Sequence, residues 1–189
     1  MITLPPQVTK APSRVTDVPI HIQPTFSGIG TVVKTSYRST KTYGNSAGLS
    51  AAFRQWRATD SHCSKIHGYA LGFKFIFGAM HLDDRNWVAD FGSLKPLKLA
   101  LEDHFDHVFA VAHDDPQIAE ILRLGDLGLA KVRVFDYGVG CERFACKAFS
   151  LAAKVVKDKY PDGRVWVESA ECFEHDANSA IYTEERVAF

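Results

Sequence analysis

The sequence predicts an α+β protein in which helices pack on one face of a mainly antiparallel β-sheet. Three observations support this prediction. Segments rich in β-branched, aromatic or alternating residues lie towards both ends of the chain, helical patterns lie between them, and turn residues separate most of these segments. With 189 residues and 46% hydrophobic content, the chain is long enough for one folded domain with a substantial core.

The first 25 residues are predicted to form an extended arm, and residues 26–189 a single domain. The arm contains five prolines, at positions 5, 6, 12, 19 and 24. Proline lacks an amide donor and restricts φ, so this segment has little helical or strand character and is suited to a tail that contacts another subunit.

The next part of the chain is predicted to be mainly β-structure. Residues 30–43 read as a strand, and residues 48–56 as either a strand continuation or a short helix. Residues 66–78 form a second strand, and a turn connects it to the extended pattern of residues 87–91, which predicts a hairpin.

An amphipathic helix is predicted over residues 94–105, because Leu94, Leu97, Leu101 and Phe105 recur at three- and four-residue steps. Ser93 stands at its N-cap position, and Pro96 falls in its first turn. The remaining predicted elements are a loop through 114–116, a short helix near 116–124, a strand at 130–135, a long helix at 141–159, a strand at 164–173 and a last partner strand at 180–182.

Charge and hydropathy disfavour some kinds of partner. The 22 basic and 22 acidic residues balance, and no Lys/Arg run is present, which disfavours a nucleic-acid partner or a membrane surface. No segment approaches the roughly 20 apolar residues that span a bilayer, and the N-terminus lacks a signal-peptide pattern, so a cytoplasmic location is expected.

The cysteines do not indicate a disulfide framework. Positions 63, 141, 146 and 172 are scattered without a CxxC pair, which also argues against a four-cysteine zinc site. Most of these residues are expected to be buried thiols.

Three groups of residues are candidates for chemistry. Cys63 and His67 lie four residues apart at the mouth of a predicted strand, and the alternative is a buried thiol beside a hydrogen-bonded histidine. In Asp106-His107, a carboxylate beside an imidazole can set the tautomer and raise the basicity of the ring. Glu174, near the end of a predicted strand, could accept the paired N–H edge of an aminopyrimidine, or could simply be exposed.

Five pieces of sequence in this order resemble the 6-pyruvoyl-tetrahydropterin synthase and 6-carboxy-tetrahydropterin synthase family. They span roughly residues 40–183. The pieces are Cys63-x-x-x-His67-Gly68-Tyr69, Trp87-Val88-Ala89-Asp90-Phe91 with Leu94-Lys95, Phe105-Asp106-His107, Gly140-Cys141-Glu142, and Glu174 with Ala180-x-Tyr182. The resemblance implies a tunnelling fold (T-fold), whose subunits assemble into a barrel, commonly a hexamer, with active sites between subunits.

The resemblance also implies a substrate and roles for individual residues. The family converts 7,8-dihydroneopterin triphosphate by eliminating triphosphate and remodelling the side chain, in pterin or 7-deazaguanine (queuosine) precursor synthesis. Cys63 resembles its proton-transferring thiol, Asp106-His107 its acid/base pair, and Glu174 the carboxylate that holds the pterin ring, with Glu171 as a rival. Glu142 matches a glutamate that opens a helix, where free amides could also meet the ligand.

The expected zinc site is altered in this sequence. The family binds zinc with one histidine on the first strand and two in His-Gly-His, and here only His67 remains, because Tyr69 replaces the last histidine. The first-strand position holds either Phe53 or Asn45, depending on the alignment. One ligand cannot hold a catalytic zinc, so zinc binding is doubtful, and recruits such as His62, Cys63 or His104 would be required.

Two classes of function follow from the sequence. The first is a lyase of the family type with a remodelled or metal-free site. The second is a catalytically altered member that serves as a pterin- or purine-binding protein or a structural oligomer. The retained proton-transfer residues favour the first class, and the missing histidines favour the second.

Overall fold

The computed structural model describes residues 36–184, which form a seven-stranded sheet and three α-helices. The predicted arm at 1–25 lies outside the described residues. The strands are β1 (Tyr37–Tyr43), β2 (Leu49–Phe53), β3 (His67–Ala79), β4 (Val108–Ala112), β5 (Lys131–Phe135), β6 (Val165–His175) and β7 (Asn178–Thr183). The helices are α1 (Lys95–Phe105), α2 (Ile118–Asp126) and α3 (Cys141–Lys159).

The long strand β3 connects the two parts of the sheet. Its second half pairs with β1 and its first half with β2, both antiparallel, so these two strands lie end to end along β3. Its second half also pairs with β6, which in turn pairs with β7. The segment at 48–56, which the sequence left open between strand and helix, is therefore a strand, β2.

Beyond β2 the sheet becomes parallel. β2 pairs with β4, and β4 with β5, in parallel. The sequence did not predict β4, because all five of its residues, Val108–Ala112, are buried and show no alternation. The α+β fold class is confirmed, and the sheet is mixed, with two parallel pairs beside a larger antiparallel part.

The helices are positioned by alternating side chains of β4. Val108 and Ala110 belong to the main core, in which α1 and α3 contribute residues such as Leu101 and Phe144. Phe109 points to the other side, where it clusters with Ile121 of α2. Two helices therefore share the predicted face, and α2 covers the other face.

The predicted hairpin at 87–91 is wrong. Asp83 accepts hydrogen bonds from the amides of Arg85 and Trp87, which folds this segment into a local turn. Phe91–Leu94 forms a short 3₁₀ helix, which Asp90 caps by accepting from the amide of Gly92. Ser93 is consequently not the N-cap of α1, and its hydroxyl donates to the carbonyl of Asp90.

Of the strand predicted at 30–43, residues 37–43 form β1, and 30–35 lie outside the described residues. The remaining predicted helices and strands are present with small shifts at their ends. The long helix spans Cys141–Lys159 as predicted, and Pro96 lies in the first turn of α1. None of the helices between residues 36 and 184 has the length and apolar character needed to cross a membrane.

Candidate active site

The candidate site lies near the first residues of β3, close to the start of α3. There the side chain of Asn45 lies between β3 and β6, and its amide nitrogen is 2.6 Å from the carbonyl oxygen of Ala70. The same nitrogen is 3.4 Å and 3.3 Å from the carbonyl oxygens of Phe173 and Glu174. Asn45 therefore ties the two strands together through their backbones.

A cavity of 410 Å³ opens beside this junction. Its lining consists of Gln55, Cys141, Glu142, Glu174, Ala177, Asn178 and Ser179. Gln55 lies against Gly140, at the start of α3. A Cβ atom at position 140 would be 2.5 Å from the side-chain amide nitrogen of Gln55, and the φ of Gly140 is 120°. A glycine at position 140 thus permits both the backbone turn and the close approach of Gln55.

Three aromatic rings from β2 and β3 pack together. The ring centroids of Phe53 and His67 are 4.7 Å apart, those of His67 and Tyr69 5.6 Å, and those of Phe53 and Tyr69 6.2 Å. We call these three residues the aromatic cluster. The side chain of Asn45 contacts backbone carbonyls, whereas the ring of Phe53 packs against those of His67 and Tyr69. Of the two alternatives for the first-strand position, Phe53 is therefore the one beside His67 and Tyr69.

His67 retains the tautomer that a metal ligand would need. Its Nδ1 lies 2.8 Å from the carbonyl oxygen of Lys65, which can only accept, so Nδ1 carries the proton. Nε2 is left with a free lone pair, and it is buried without a hydrogen-bond partner among residues 36–184.

The other members of the cluster do not fit zinc. Phenylalanine offers no donor atom, and tyrosine is a poor zinc ligand. Among the described residues, no group of three or more His, Cys, Asp or Glu side chains could hold a metal ion. Of the suggested recruits, His104 directs its Nδ1 to the carbonyl oxygen of Ala100 within α1. The donor set at this position therefore disagrees with the zinc that the resemblance implies.

Cys63 lies in a short 3₁₀ helix, His62–Ser64, and is half-buried. The hydroxyl oxygen of Ser61 accepts from its amide, at 3.2 Å. The amide of Gln55 donates to the carbonyl of Cys63 at 2.8 Å, which connects the thiol segment to a residue of the cavity wall.

The phenol of Tyr69 is affected by the charges of residues from both the cavity wall and the Cys63 segment. Burial raises the pKa of its phenol, and the nearby Glu174, Cys63 and Cys141 raise this pKa further. These four side chains, with Glu142 at the cavity wall, form what we call the cavity half-site.

Two glutamates of β6 were rivals for holding a ligand. Glu171 accepts from the hydroxyl of Ser179 at 2.7 Å and lies 4.0 Å from the ammonium group of Lys74. The carboxylate of Glu174 makes no hydrogen bond to any other residue in the range 36–184, and it lines the cavity. Glu174 is therefore the better placed of the two.

Asp106 and His107 form a hydrogen-bonded pair between α1 and β4, which we call the dyad half-site. Nδ1 of His107 lies 2.8 Å from Oδ1 of Asp106, and the amide of Ser50 donates to the same oxygen at 3.4 Å. Burial alone would raise the pKa of Asp106, but these hydrogen bonds outweigh it and lower the pKa. His107 has a φ of 52°, and its side chain is 84% exposed.

The structure does not bring the two half-sites together within one chain. Asp106 contacts Ser50 near the start of β2, whereas Cys63 is bonded to Gln55 beyond the end of β2. The three residue steps from Ser50 to Phe53 alone correspond to about 10 Å of strand.

Some residues of this site were not singled out from the sequence. Gln55 carried no local signal, and Asn45 was considered only as a metal ligand. Cys141 was noted only as part of a motif, but its thiol is buried and lies 3.0 Å from the carbonyl oxygen of Cys172. A hydrogen bond with the Cys172 thiol lowers the pKa of Cys141, and burial raises that of Cys172.

Comparison with known proteins identifies relatives of this chain. A family model described as 6-pyruvoyl tetrahydropterin synthase matches residues 45–185. No curated protein sequence matches at a significant level.

Several solved structures share the fold. An uncharacterized protein from Wolinella succinogenes has a TM-score of 0.67 at 20% identity, covering 80% of this chain and 99% of its own. The 6-pyruvoyl tetrahydropterin synthase of Plasmodium falciparum has a TM-score of 0.57 at 13% identity, with coverage of 79% and 98%. That of Caenorhabditis elegans has a TM-score of 0.51 at 16% identity, with coverage of 80% and 96%. At these identities the similarity shows the T-fold and no more.

Proposed function

Because this chain belongs to the 6-pyruvoyl tetrahydropterin synthase family, we propose that it is a lyase of the 6-pyruvoyl- or 6-carboxy-tetrahydropterin synthase type. Its substrate is 7,8-dihydroneopterin triphosphate or a related pterin. The observation that carries this proposal is the carboxylate of Glu174, which lines a cavity and makes no hydrogen bond to the residues from 36 to 184.

The cavity half-site binds and orients the ligand. The two oxygens of Glu174 accept the paired N–H groups of an aminopyrimidine edge, an arrangement that is strong because the acceptor is charged. Glu142 stands on the cavity wall at the first turn of α3 and contributes a second acceptor. The ring is thereby held with its side chain directed towards Cys63.

Cys63 then acts as the base. Its thiolate removes a proton from a side-chain carbon, and the electron pair of that C–H bond forms a carbon–carbon double bond as the C–O bond to triphosphate breaks. The product of this step is an enol. Asp106 and His107 accept its hydroxyl proton and return a proton to the terminal carbon, which gives the keto form, with the carboxylate holding the imidazole in one tautomer.

The dyad that serves this cavity comes from a second copy of the chain. Within one chain, Asp106 and Cys63 are anchored towards opposite ends of β2. A symmetric homo-oligomer that places the dyad half-site of one subunit beside the cavity half-site of another resolves this separation.

The second candidate function is ligand binding without turnover. It is favoured by the aromatic cluster, in which Phe53 and Tyr69 replace donor atoms that the family uses for catalysis. A protein of this kind would bind a pterin or purine, or serve as a structural oligomer.

One experiment separates the two functions. The full chain is incubated with 7,8-dihydroneopterin triphosphate and triphosphate release is measured, while neopterin binding is followed by fluorescence. Turnover supports the lyase, binding without turnover supports the second function, and absence of binding overturns both pterin assignments.

The variant Glu174→Gln sharpens this test. It should weaken neopterin binding about tenfold or more, because a charged acceptor is lost. The matched control is Glu171→Gln. Because the carboxylate of Glu171 is already bonded to Ser179, this change should leave neopterin binding unchanged. Equal effects of both changes would remove Glu174 from the role of ring anchor.

A further inference from the structure

Tyr69 belongs to the aromatic cluster and also contacts His175, which follows the cavity residue Glu174 in the chain. Its ring is flanked by His67 at 5.6 Å and by His175 at 6.2 Å. His175 is the chain neighbour of Glu174, which lines the cavity, and the charges of Glu174 and Cys63 both raise the pKa of the phenol. The ring is held in place by packing, which leaves the orientation of its hydroxyl well defined.

The hydroxyl of Tyr69 has no assigned role in holding the fold. It makes no hydrogen bond to the other residues between 36 and 184. The hydroxyls of Tyr43, Tyr160 and Tyr182, in contrast, each contact a carbonyl, an amide or a carboxylate. A half-buried phenol beside a cavity, with its hydroxyl unused, is therefore free to bond a ligand.

We propose that the Tyr69 hydroxyl donates a hydrogen bond to the hydroxylated side chain of the bound pterin, and that this contact takes the place of a metal ion. The inference rests on the proposed pterin ligand and adds to it the group that recognises the side chain. It also states that the cavity functions without zinc. Within the aromatic cluster only His67 carries a ring nitrogen, and both ring nitrogens of the neighbouring His175 already contact Ala177 and Asn178.

The contact falls on the side chain of the ligand and not on its ring. Glu174 and Glu142 provide the acceptors for the N–H groups of the ring, and neither can donate when ionised. Tyr69 is a donor, and its ring packs beside His175, the chain neighbour of Glu174. A donor placed there stabilises negative charge that develops on a side-chain oxygen when Cys63 removes a proton.

Two ligands test the proposal, neopterin, which carries the hydroxylated side chain, and unsubstituted pterin, which lacks it. The variant is Tyr69→Phe, which removes one oxygen and keeps the ring. Its neopterin affinity should fall about three- to tenfold, the loss expected for one hydrogen bond, while its pterin affinity stays unchanged. Tyr182→Phe is the control, since that hydroxyl contacts Glu184 on the edge strand.

These measurements distinguish failure of the Tyr69 proposal from failure of the proposed pterin function. If the wild-type protein binds both ligands and Tyr69→Phe binds them equally well, or weakens for both alike, the role of Tyr69 is overturned and the pterin function stands. If the wild-type protein binds neither ligand, both proposals fail.

A metal measurement tests the same proposal without any variant. Neopterin binding by the wild-type protein should be unaffected by EDTA, and protein purified after zinc incubation should contain far less than one zinc per chain. Loss of binding with EDTA, or one zinc per chain at this position, would overturn the replacement of metal by Tyr69.

Discussion

The rings of Phe53 and His67 pack against each other across the β2–β3 ladder, with their centroids 4.7 Å apart. The two residues are direct partners in the antiparallel register, so their side chains point to the same face of the sheet. An imidazole that retains a free Nε2 lone pair is thus covered by a ring without donor atoms. Of the three positions that the resemblance assigns to zinc ligands, only position 67 holds a histidine.

The double change Phe53→His with Tyr69→His should create a zinc site. Three imidazoles around one zinc, with Zn–N distances of about 2.0 to 2.1 Å, place their ring centroids about 5 Å apart. The rings at these positions are 4.7 to 6.2 Å apart. Elemental analysis should find one zinc per chain in the double variant. Adding His67→Ala to it is the control, and this triple variant should lose the metal. Failure of the double variant to bind zinc would contradict the arrangement described here.

Cys63→Ala should abolish most turnover while preserving ligand binding. Proton transfer by a positioned side chain contributes about 10²- to 10⁴-fold to a rate, so triphosphate release should fall by that factor. Neopterin affinity should change little, because the thiol is not among the acceptors for the ring. Cys146→Ala, at a half-buried thiol of α3, is the matched control. Unchanged turnover in Cys63→Ala would remove the thiol from the mechanism.

Mixed oligomers should reveal whether the two half-sites come from different chains. Cys63→Ala and Asp106→Asn subunits should each be inactive alone. When they are unfolded and refolded together, about one site in four should combine an intact Cys63 with an intact Asp106 and regain activity. The recovered activity is measured against the wild-type protein treated in the same way. A mixture no more active than its components would show that the site is not shared in this manner.

The pair of Arg54 and Asp115 should make a large contribution to stability. The Asp115 side chain is fully buried, accepts from Nε of Arg54 at 2.8 Å and is also bonded by the second guanidinium nitrogen and the amide of Gln117. Asp115→Ala should lower the free energy of unfolding by about 3 to 5 kcal/mol, because a charge is left without its partner. Asp114→Ala is the control, since its pair with Arg57 is exposed and contributes about 1 kcal/mol or less. Urea unfolding measures both, and equal losses would contradict the difference in burial.

The same pair should weaken in acid. The hydrogen bond from Arg54 lowers the pKa of Asp115 in the folded protein, against the raising effect of burial. Its stabilisation is complete above the unfolded value, about 3.9, and is lost as pH falls through the lower folded value. The stability difference between the wild-type protein and Asp115→Ala should therefore narrow below about pH 4. A difference that stays constant down to pH 2 would contradict this linkage.

The sequence predicted those elements whose side chains have one buried and one exposed side. α1 was found from Leu97, Leu101 and Phe105, and all three are buried. β4 was missed because it lies inside the sheet with helices on both sides, so that Val108–Ala112 has no exposed residue to mark its period. The false strand at Trp87–Phe91 arose because alternating residues can also belong to a turn, here one organised by the carboxylate of Asp83.

The candidate site could be predicted as a set of residues but not as an arrangement. The order of the motifs indicated Cys63, Glu174 and the pair Asp106-His107. Nothing in the local sequence around these residues indicates that Cys63 and Asp106 lie towards opposite ends of β2. The choice between Phe53 and Asn45 likewise required the register of β2 with β3. Gln55 was missed because its position over Gly140 depends on a contact between distant segments.

Asn45 has a consequence for how this protein family can change. Its amide holds β3 and β6 through carbonyl oxygens of the main chain, which every amino acid possesses. The backbone spacing at this junction is therefore independent of the side chains at positions 53, 67 and 69. Side chains at these three positions can therefore be exchanged without removing the contacts that hold β3 and β6 at this junction.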